Sequence, residues 1–290
     1  MKPSPPQTLD PQTEILSPFI YSHLTPDILE KLPMVRLIAT RSTGIDHIDA
    51  EYCKNRNIEI KNVPSYGVNT IAEHTFALIL ALSRQIVPSV ERTRKGSFSL
   101  HNLRGMELAH KTMGIIGCGA IGQRVIELAR AFSMNVCVYS RTPKEIAGVQ
   151  FVDLETLLRQ SDIVSVHVPA TPETHHLINT ENIQFMKKGS MLINTARGSI
   201  VQTEAIVKAL ETGILSGVGL DVLEEEVALK EERQLLTREF LDTGDVRIQL
   251  LNHVLLNRED VLITPHNAFN SQEALHEILA TTVTNIQTRL

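Results

Sequence analysis

The chain has 290 residues, of which 42% are hydrophobic and 21% charged, and it carries a formal net charge of −5 at pH 7. Its length exceeds what one hydrophobic core usually serves, so we expect two domains. The acidic balance argues against nucleic acid as a partner, and the longest apolar run, residues 76–82, is too short to cross a membrane.

Short apolar runs typical of strands alternate with helical patterns along the chain, and this rhythm predicts an α/β fold with parallel sheets. In chain order, the predicted elements are strand 15–21, helix 26–32, strands 35–40 and 58–63, helix 70–84, strand 112–116, helix 123–131, strands 135–139, 163–168, 190–193, 218–220 and 261–263, and helix 271–287. The helix at residue 26 follows Thr25, a residue type that caps helix N-termini.

The three cysteines, Cys53, Cys118 and Cys137, are odd in number and lack metal-ligand spacing. This usage predicts buried thiols in a reducing compartment and no metal site. We therefore expect a cytoplasmic protein that does not associate with membranes.

A glycine-rich turn lies between the strand at 112–116 and the helix at 123–131, with the sequence Gly117-Cys118-Gly119-Ala120-Ile121-Gly122. Gly117 would allow a tight turn, Gly119 would let the backbone approach a pyrophosphate, and Gly122 would let the helix pack on the strand. The pyrophosphate would lie on the N–H groups of the helix N-terminus, where the helix dipole favours negative charge. The context predicts a dinucleotide-binding site.

Three further segments place polar side chains directly after predicted strands. Arg197 follows the strand at 190–193, an acidic run at 224–226 follows the strand at 218–220, and His266 follows the strand at 261–263. The carboxyl ends of parallel strands meet at the edge of the sheet where ligands bind. An arginine there suits a carboxylate, and a histidine suits proton transfer, so together they favour an enzyme.

Several motifs together give the chain a family resemblance. They are Arg41-Ser42-Thr43-Gly44-Ile45-Asp46-His47-Ile48-Asp49, Asn62-Val63-Pro64-Ser65-Tyr66-Gly67, Ala72-Glu73-His74, the glycine turn and the three segments above. From about residue 15 onwards the chain resembles the D-isomer-specific 2-hydroxyacid dehydrogenases, closest in pattern to the D-lactate dehydrogenase branch. The resemblance implies a Rossmann-type dinucleotide-binding domain, residues 93–267, inserted into a flavodoxin-like substrate domain, residues 1–92 and 268–290.

The resemblance also implies the catalytic roles. His266 would protonate the ketone oxygen during reduction, and Glu226 would pair with it, orienting the ring and favouring the imidazolium. Arg197 would hold the substrate carboxylate and polarise the carbonyl. The other two acids of the run, Glu224 and Glu225, are expected to be solvated.

The remaining implied contacts concern the second end of the substrate and the cofactor. Backbone N–H groups near Tyr66 and Gly67 resemble a second clamp for the substrate carboxylate. The implied cofactor contacts, besides the glycines, are Ala120, Ile121, Val168, Pro169, Thr174, Thr195, Ala196 and Asp221.

The end of the strand at 135–139 bears on the choice of cofactor. The acid that would bind the adenosine ribose hydroxyl about 20 residues after the glycine turn is absent, and Ser140 follows the strand instead. Arg141 and Lys144 would bind a 2′-phosphate. The sequence therefore favours NADP(H), or use of both NAD and NADP, although NAD remains open if Arg141 points to solvent.

The sequence begins after the strand and helix with which members of the family typically start. Losing that unit should leave apolar surface and an unpaired strand edge in the substrate domain.

Three interpretations stay open: a reductase of small 2-oxo acids such as pyruvate, glyoxylate or hydroxypyruvate, a nicotinamide-sensing protein like the corepressors of the family, and an inactive shortened chain. The resemblance further implies a homodimer formed through helices of the cofactor domain.

Overall fold

The protein is described here from a computed structural model that covers residues 10–20, 22–226 and 246–288. Its internal contacts divide the chain into a smaller unit, Met1–Tyr66 with Asn270–Leu290, and a larger unit, Gly67–Phe269. The predicted boundary after residue 92 lies later than this division, because the helix Val68–Ser83 buries its apolar side chains in a core of the larger unit.

The smaller unit is a parallel three-stranded sheet with helices, in the order β1-β2-β3. Its elements are β1 (Ile15–Leu16), α1 (Pro26–Glu30), β2 (Leu37–Ala39), α2 (Ala50–Asn55), β3 (Glu59–Lys61) and, from the end of the chain, α9 (Gln272–Gln287). Side chains such as Leu29, Ile38 and Cys53 form its core. The α9 helix is tied to the residues around β3, since Lys61 donates to Thr288 (2.7 Å) and Asn285 to the carbonyl of Asn62 (3.0 Å).

The larger unit contains the remaining elements. They are α3 (Val68–Ser83), α4 (Ile86–Arg94), β4 (Thr112–Ile116), α5 (Ala120–Ala131), β5 (Asn135–Tyr139), β6 (Gln150–Phe151), α6 (Leu154–Gln160), β7 (Ile163–Val166), β8 (Ser190–Asn194), α7 (Thr203–Glu211), β9 (Leu215–Leu220), α8 (Val246–Leu256) and β10 (Val261–Ile263). The strands form one parallel sheet in the order β10-β9-β8-β7-β4-β5-β6. Strand order reverses at β4, which is where such sheets bind dinucleotides.

Apolar residues along the strands alternate between the two faces of this sheet. Ile115 and Val138 belong to the core that also contains α3 and α5, whereas their neighbours Ile116 and Cys137 belong to the core on the side of α6 and α7. A sheet covered on both faces needs apolar residues at consecutive positions, which is why its strands appear as continuous apolar runs. The predicted α/β fold with a Rossmann-type domain is confirmed.

The helix after the glycine turn begins earlier than predicted, at Ala120 rather than Gln123. Gly119 is its N-cap residue, so the second half of the glycine turn forms the first helical turn. The helix N-terminus therefore lies within the motif that was expected to bind phosphate. None of the helices in the described parts of the chain combines the length and apolarity needed to cross a membrane.

Candidate active site

The three glycines of the turn after β4 differ in the room that the structure leaves for a side chain. Gly117 has φ = +104°, and a Cβ on it would lie 2.5 Å from the carbonyl oxygen of His167. A Cβ on Gly122 would lie 2.1 Å from the carbonyl oxygen of Gly117. A Cβ on Gly119, in contrast, would meet no atom within 4 Å. The space beside Gly119 is therefore open to a ligand at the N-terminus of α5.

A cavity of about 290 Å³ opens beside this turn. Its walls come from the turn itself and from the segments that follow β5 and β7. The predicted cofactor residues that line it are Gly117, Gly119, Ser140, Arg141, Val168, Pro169 and Thr174. The open space at Gly119, the helix N-terminus and the basic side chains of Arg141 and Lys144 together suit the phosphate groups of a dinucleotide.

The polar rim of the cavity contains one acid that sequence reasoning did not single out. Glu173 is exposed, and the pKa of its carboxyl is lowered, mainly because the Thr171 hydroxyl hydrogen-bonds to it and in part because Arg141 is near. The Ser140 hydroxyl donates to the Thr142 carbonyl (3.2 Å) within its own turn. The rim therefore carries both positive and negative charge.

His167 lies under the cavity, at the end of β7, and its ring contacts Ser165 through Nε2 at 2.8 Å. Burial lowers the pKa of this histidine to about 4. The ring is therefore neutral when the protein is folded at pH 7.

The neutral ring of His167 predicts loss of stability in mild acid. An unfolded chain takes up this proton near pH 6.5 and the folded chain only near pH 4, so unfolding is favoured as the pH falls through that range. We expect the free energy of unfolding to fall by about 1–2 kcal/mol between pH 7.5 and pH 5. Urea unfolding at both pH values measures it, and His167→Gln, which cannot titrate, should lose less. An equal loss of unfolding free energy in the wild type and in His167→Gln would contradict the lowered pKa of His167.

Arg197 is positioned by the end of β8. The buried Asn194 side chain donates to the carbonyl of Arg197 (2.9 Å) and accepts from the N–H of Ala196 (3.0 Å). The Arg197 side chain is half-buried, and its Nη1 donates to the Ala196 carbonyl (2.8 Å). Thr195 is buried, and its hydroxyl contacts that of Thr75 in α3 at 3.1 Å. The predicted cofactor residues Thr195 and Ala196 thus lie in the segment that holds Arg197.

Asp221 fixes the loop that carries the candidate catalytic histidine. Its buried carboxylate accepts from the Thr264 hydroxyl (2.5 Å) and from the N–H groups of Asn267 and Ala268 (both 2.9 Å). These partners lie on both sides of His266. Asp221 was expected to approach the nicotinamide, which stays a prediction, and the structure shows its carboxylate holding the loop around His266.

His74 belongs to the same hydrogen-bonded group and was missed as a site residue. Its Nε2 lies 3.0 Å from the Thr264 hydroxyl and 3.6 Å from the Asp221 carboxylate. The Ala72-Glu73-His74 motif contained the signal. Its contacts join α3 to residues about 190 positions later in the chain, a separation that the sequence pattern does not reveal.

His266 and Glu226 are brought together although 40 residues separate them. His266 Nδ1 donates to Glu226 Oε1 at 2.6 Å, and the side chains are 13% and 21% exposed. His266 lies in a tight turn, with its own φ at +52°, and Glu226 directly follows another, with φ at +53° for Glu225. A carboxylate on one ring nitrogen fixes the tautomer and the orientation of the imidazole, which is what a proton donor at a fixed site requires.

The two other acids of the run behave differently from each other. Glu225 is exposed as expected, but Glu224 is buried, and the expectation that it is solvated is wrong. The loop turns inward at Glu224, where its carboxylate accepts hydrogen bonds from Thr203 and His176.

The predicted substrate clamp falls at the division of the chain. Tyr66 is the last residue of the smaller unit, and Gly67 is the first of the larger unit and the N-cap residue of α3. Their role in binding a carboxylate stays a prediction.

Comparison with known proteins places the chain in a family. Residues 76–268 match the family described as D-isomer specific 2-hydroxyacid dehydrogenase, NAD binding domain. A glyoxylate reductase of Thermococcus litoralis is 39% identical over 76% of this chain and 70% of its own length. The D-lactate dehydrogenase of Escherichia coli is 34% identical over 89% of this chain and 78% of its own length.

A solved structure gives the same result. The D-lactate dehydrogenase from Aquifex aeolicus, crystallised with NAD and lactic acid, superposes with a TM-score of 0.86 at 39% identity, covering 95% of this chain and 82% of that one. The chain therefore belongs to the D-isomer-specific 2-hydroxyacid dehydrogenases and is an NAD(P)-dependent oxidoreductase of that family.

Proposed function

We propose that the protein reduces a small 2-oxo acid to a D-2-hydroxy acid of the lactate, glycolate or glycerate type, with His266 as the proton donor to the ketone oxygen. The observation that carries this proposal is the 2.6 Å hydrogen bond from His266 Nδ1 to Glu226. Because Nδ1 faces the carboxylate, proton transfer to substrate falls to Nε2. Glu226 offsets the positive charge of the protonated ring.

Arg197 is the proposed binding residue for the substrate carboxylate. Asn194 holds its backbone at the carboxyl end of β8, and the guanidinium offers a planar fork that matches a carboxylate and polarises the neighbouring carbonyl. The bound nicotinamide would supply the hydride to the carbonyl carbon. The chain's own residues orient the substrate and deliver the proton.

The test is turnover by the purified chain. Oxidation of NADH and NADPH is followed with pyruvate, glyoxylate and hydroxypyruvate, and the products are resolved on a chiral column. Turnover to the D product supports the proposal. Dinucleotide binding without turnover would instead favour a nicotinamide sensor or an inactive chain, the two alternatives that the sequence leaves open.

For the cofactor, we propose NADP(H), or use of both dinucleotides. Arg141 and Lys144 line the cavity, and Ser140 stands where an acid would repel a 2′-phosphate. We expect Ser140→Asp to lower kcat/KM for NADPH relative to NADH by about tenfold or more, since a carboxylate in the cavity wall would repel the 2′-phosphate. Ser140→Asn is the control, because asparagine has the shape of aspartate without its charge. An unchanged ratio in the aspartate variant would contradict the proposal.

For the assembly, we propose a homodimer that covers α4 and the segment after it. The α4 helix buries none of its side chains, and Phe98 and Leu100 are 81% and 83% exposed. Apolar surface of this extent usually marks an interface. Light scattering should give twice the 32.3 kDa chain mass, and Phe98→Ser with Leu100→Ser should shift the protein towards the monomer. A monomeric wild-type protein would disprove the proposal.

A further inference from the structure

A buried carboxylate outside the proposed catalytic set joins segments that lead to two of the proposed catalytic residues. The Glu224 side chain is 7% exposed. Its Oε2 accepts from both the N–H and the hydroxyl of Thr203 (2.6 Å each), and its Oε1 accepts from His176 Nε2 (2.6 Å). We call Glu224, Thr203 and His176 the Glu224 junction.

Both partners in the Glu224 junction are attached to the segment just after Arg197. Thr203 is the first residue of α7, which follows the short 3₁₀ turn Gly198–Ile200. The backbone N–H of His176 donates to the carbonyl of Ser199 at 2.8 Å, inside that turn. The Glu224 side chain thus holds the Arg197 segment through a helix N-terminus and through a histidine.

The backbone of Glu224 lies against the same segment. A Cβ on Gly198 would lie 2.1 Å from the carbonyl carbon of Leu223 and 2.4 Å from the nitrogen of Glu224. The backbone at Gly198 therefore contacts the backbone at residues 223–224 directly, with no side chain between the two segments. The Glu224 carbonyl also accepts from the buried Asn252 side chain (2.8 Å). Glu226 follows after a single left-handed residue, Glu225. The position of Glu226 is therefore set from Glu224.

Burial of a carboxylate is costly unless hydrogen bonds satisfy it, and apolar residues often replace such groups without loss of stability. Three hydrogen bonds at one buried carboxylate therefore point to a requirement for geometry. We infer that Glu224 is a positioning residue that sets the spacing between Arg197 and Glu226. The inference rests on the roles proposed above for those two residues and for His266.

The Glu224 junction also reaches the rim of the cofactor cavity. His176 comes two residues after Thr174, which lines that cavity and whose hydroxyl donates to the carbonyl of Pro169 at 2.7 Å. Glu224 itself does not line the cavity. Loss of the Glu224 carboxylate should therefore lower kcat/KM for the 2-oxo acid more than it lowers the affinity for the dinucleotide.

The experiment compares Glu224→Ala, Glu224→Gln and Glu225→Gln in the full chain. Glu224→Ala should lower kcat/KM for the 2-oxo acid by about 10- to 100-fold, through a raised KM and a lowered kcat, since a shift of about 1 Å in a catalytic group has that effect. Dinucleotide affinity, measured by NADPH fluorescence, should stay within about twofold. Glu225→Gln removes a neighbouring exposed charge and should behave as the wild type.

Glu224→Gln separates geometry from charge. Its amide oxygen can accept from Thr203, and its NH₂ group can donate to His176 Nε2 when the ring carries its proton on Nδ1, so we expect activity within about threefold of wild type. If Glu224→Gln is as impaired as Glu224→Ala, the charge matters and the inference is wrong. A folded Glu224→Ala protein with wild-type kinetics also overturns it, since the junction then serves only stability.

Two further variants separate a failure of the inference from a failure to fold and from a failure of the proposed mechanism. If Glu224→Ala does not fold, Thr203→Val removes one of the three donors and should raise the KM for the oxo acid several-fold at unchanged dinucleotide affinity. Unchanged kinetics in a folded Thr203→Val protein would then overturn the inference. His266→Ala tests the proposed roles separately: wild-type turnover in that protein would defeat the proposed mechanism, whatever the Glu224 variants show.

Discussion

Replacement of His266 by alanine is expected to lower kcat for 2-oxo acid reduction by about 10²- to 10⁴-fold, the usual contribution of a positioned proton donor. The ketone oxygen gains negative charge as hydride arrives, and the substitution removes the imidazole that we propose protonates it. Asp221 and Glu226 hold the loop and the ring from separate sides, so the substitution removes the donor while the hydrogen bonds of Asp221 remain. Steady-state kinetics at saturating cofactor measures the loss.

The control for His266→Ala is an exposed histidine of the same unit. His253, on α8, is exposed, and His253→Ala should leave kcat unchanged. Dinucleotide affinity should be the same within about twofold in both variants, because His266 does not line the cofactor cavity. If His266→Ala keeps more than about a tenth of the wild-type kcat, proton transfer by this residue is not a major contribution.

Strand bounds and turns that depend on neighbouring residues in the chain were predicted well from the sequence. The strands β4, β5 and β10 have the predicted bounds, because each is a continuous apolar run enclosed by polar or turn residues. The glycine turn was recognised because its spacing encodes a backbone path. The pairing of His266 with Glu226 was expected from the family resemblance, and the geometry agrees with it.

Several features that depend on contacts between distant residues were not predicted. An acidic run is typical of a solvated surface, so Glu224 was expected outside, whereas its hydrogen-bond partners lie 21 and 48 residues earlier in the chain. The apolar pattern of α3 predicts that the helix is buried but not in which core, and the structure packs it in a core of the larger unit. His74 reaches its partner across 190 residues.

The second large effect is expected at Gly119, where Gly119→Val should lower dinucleotide affinity by about 100-fold while the chain stays folded. The backbone at Gly119 has φ = −73° and ψ = −169°, which any residue adopts, and a Cβ there meets no protein atom within 4 Å. A side chain at this point would occupy the space through which a pyrophosphate approaches the N–H groups of α5. Fluorescence titration with NADPH and NADH measures the affinity, and thermal unfolding measures the fold.

Gly117 provides the matched comparison, because its requirement is for the fold. Its φ of +104° and the 2.5 Å approach of a Cβ to the carbonyl of His167 predict that Gly117→Ala destabilises the chain by about 2 kcal/mol or more. Gly119→Val should cost at most about 1 kcal/mol, the usual range for a changed N-cap residue. The two substitutions should thus have different effects. Gly117→Ala should lower the stability of the chain, and Gly119→Val should lower its affinity for the dinucleotide. Wild-type dinucleotide affinity in Gly119→Val would mean that the cofactor binds elsewhere than at this helix N-terminus.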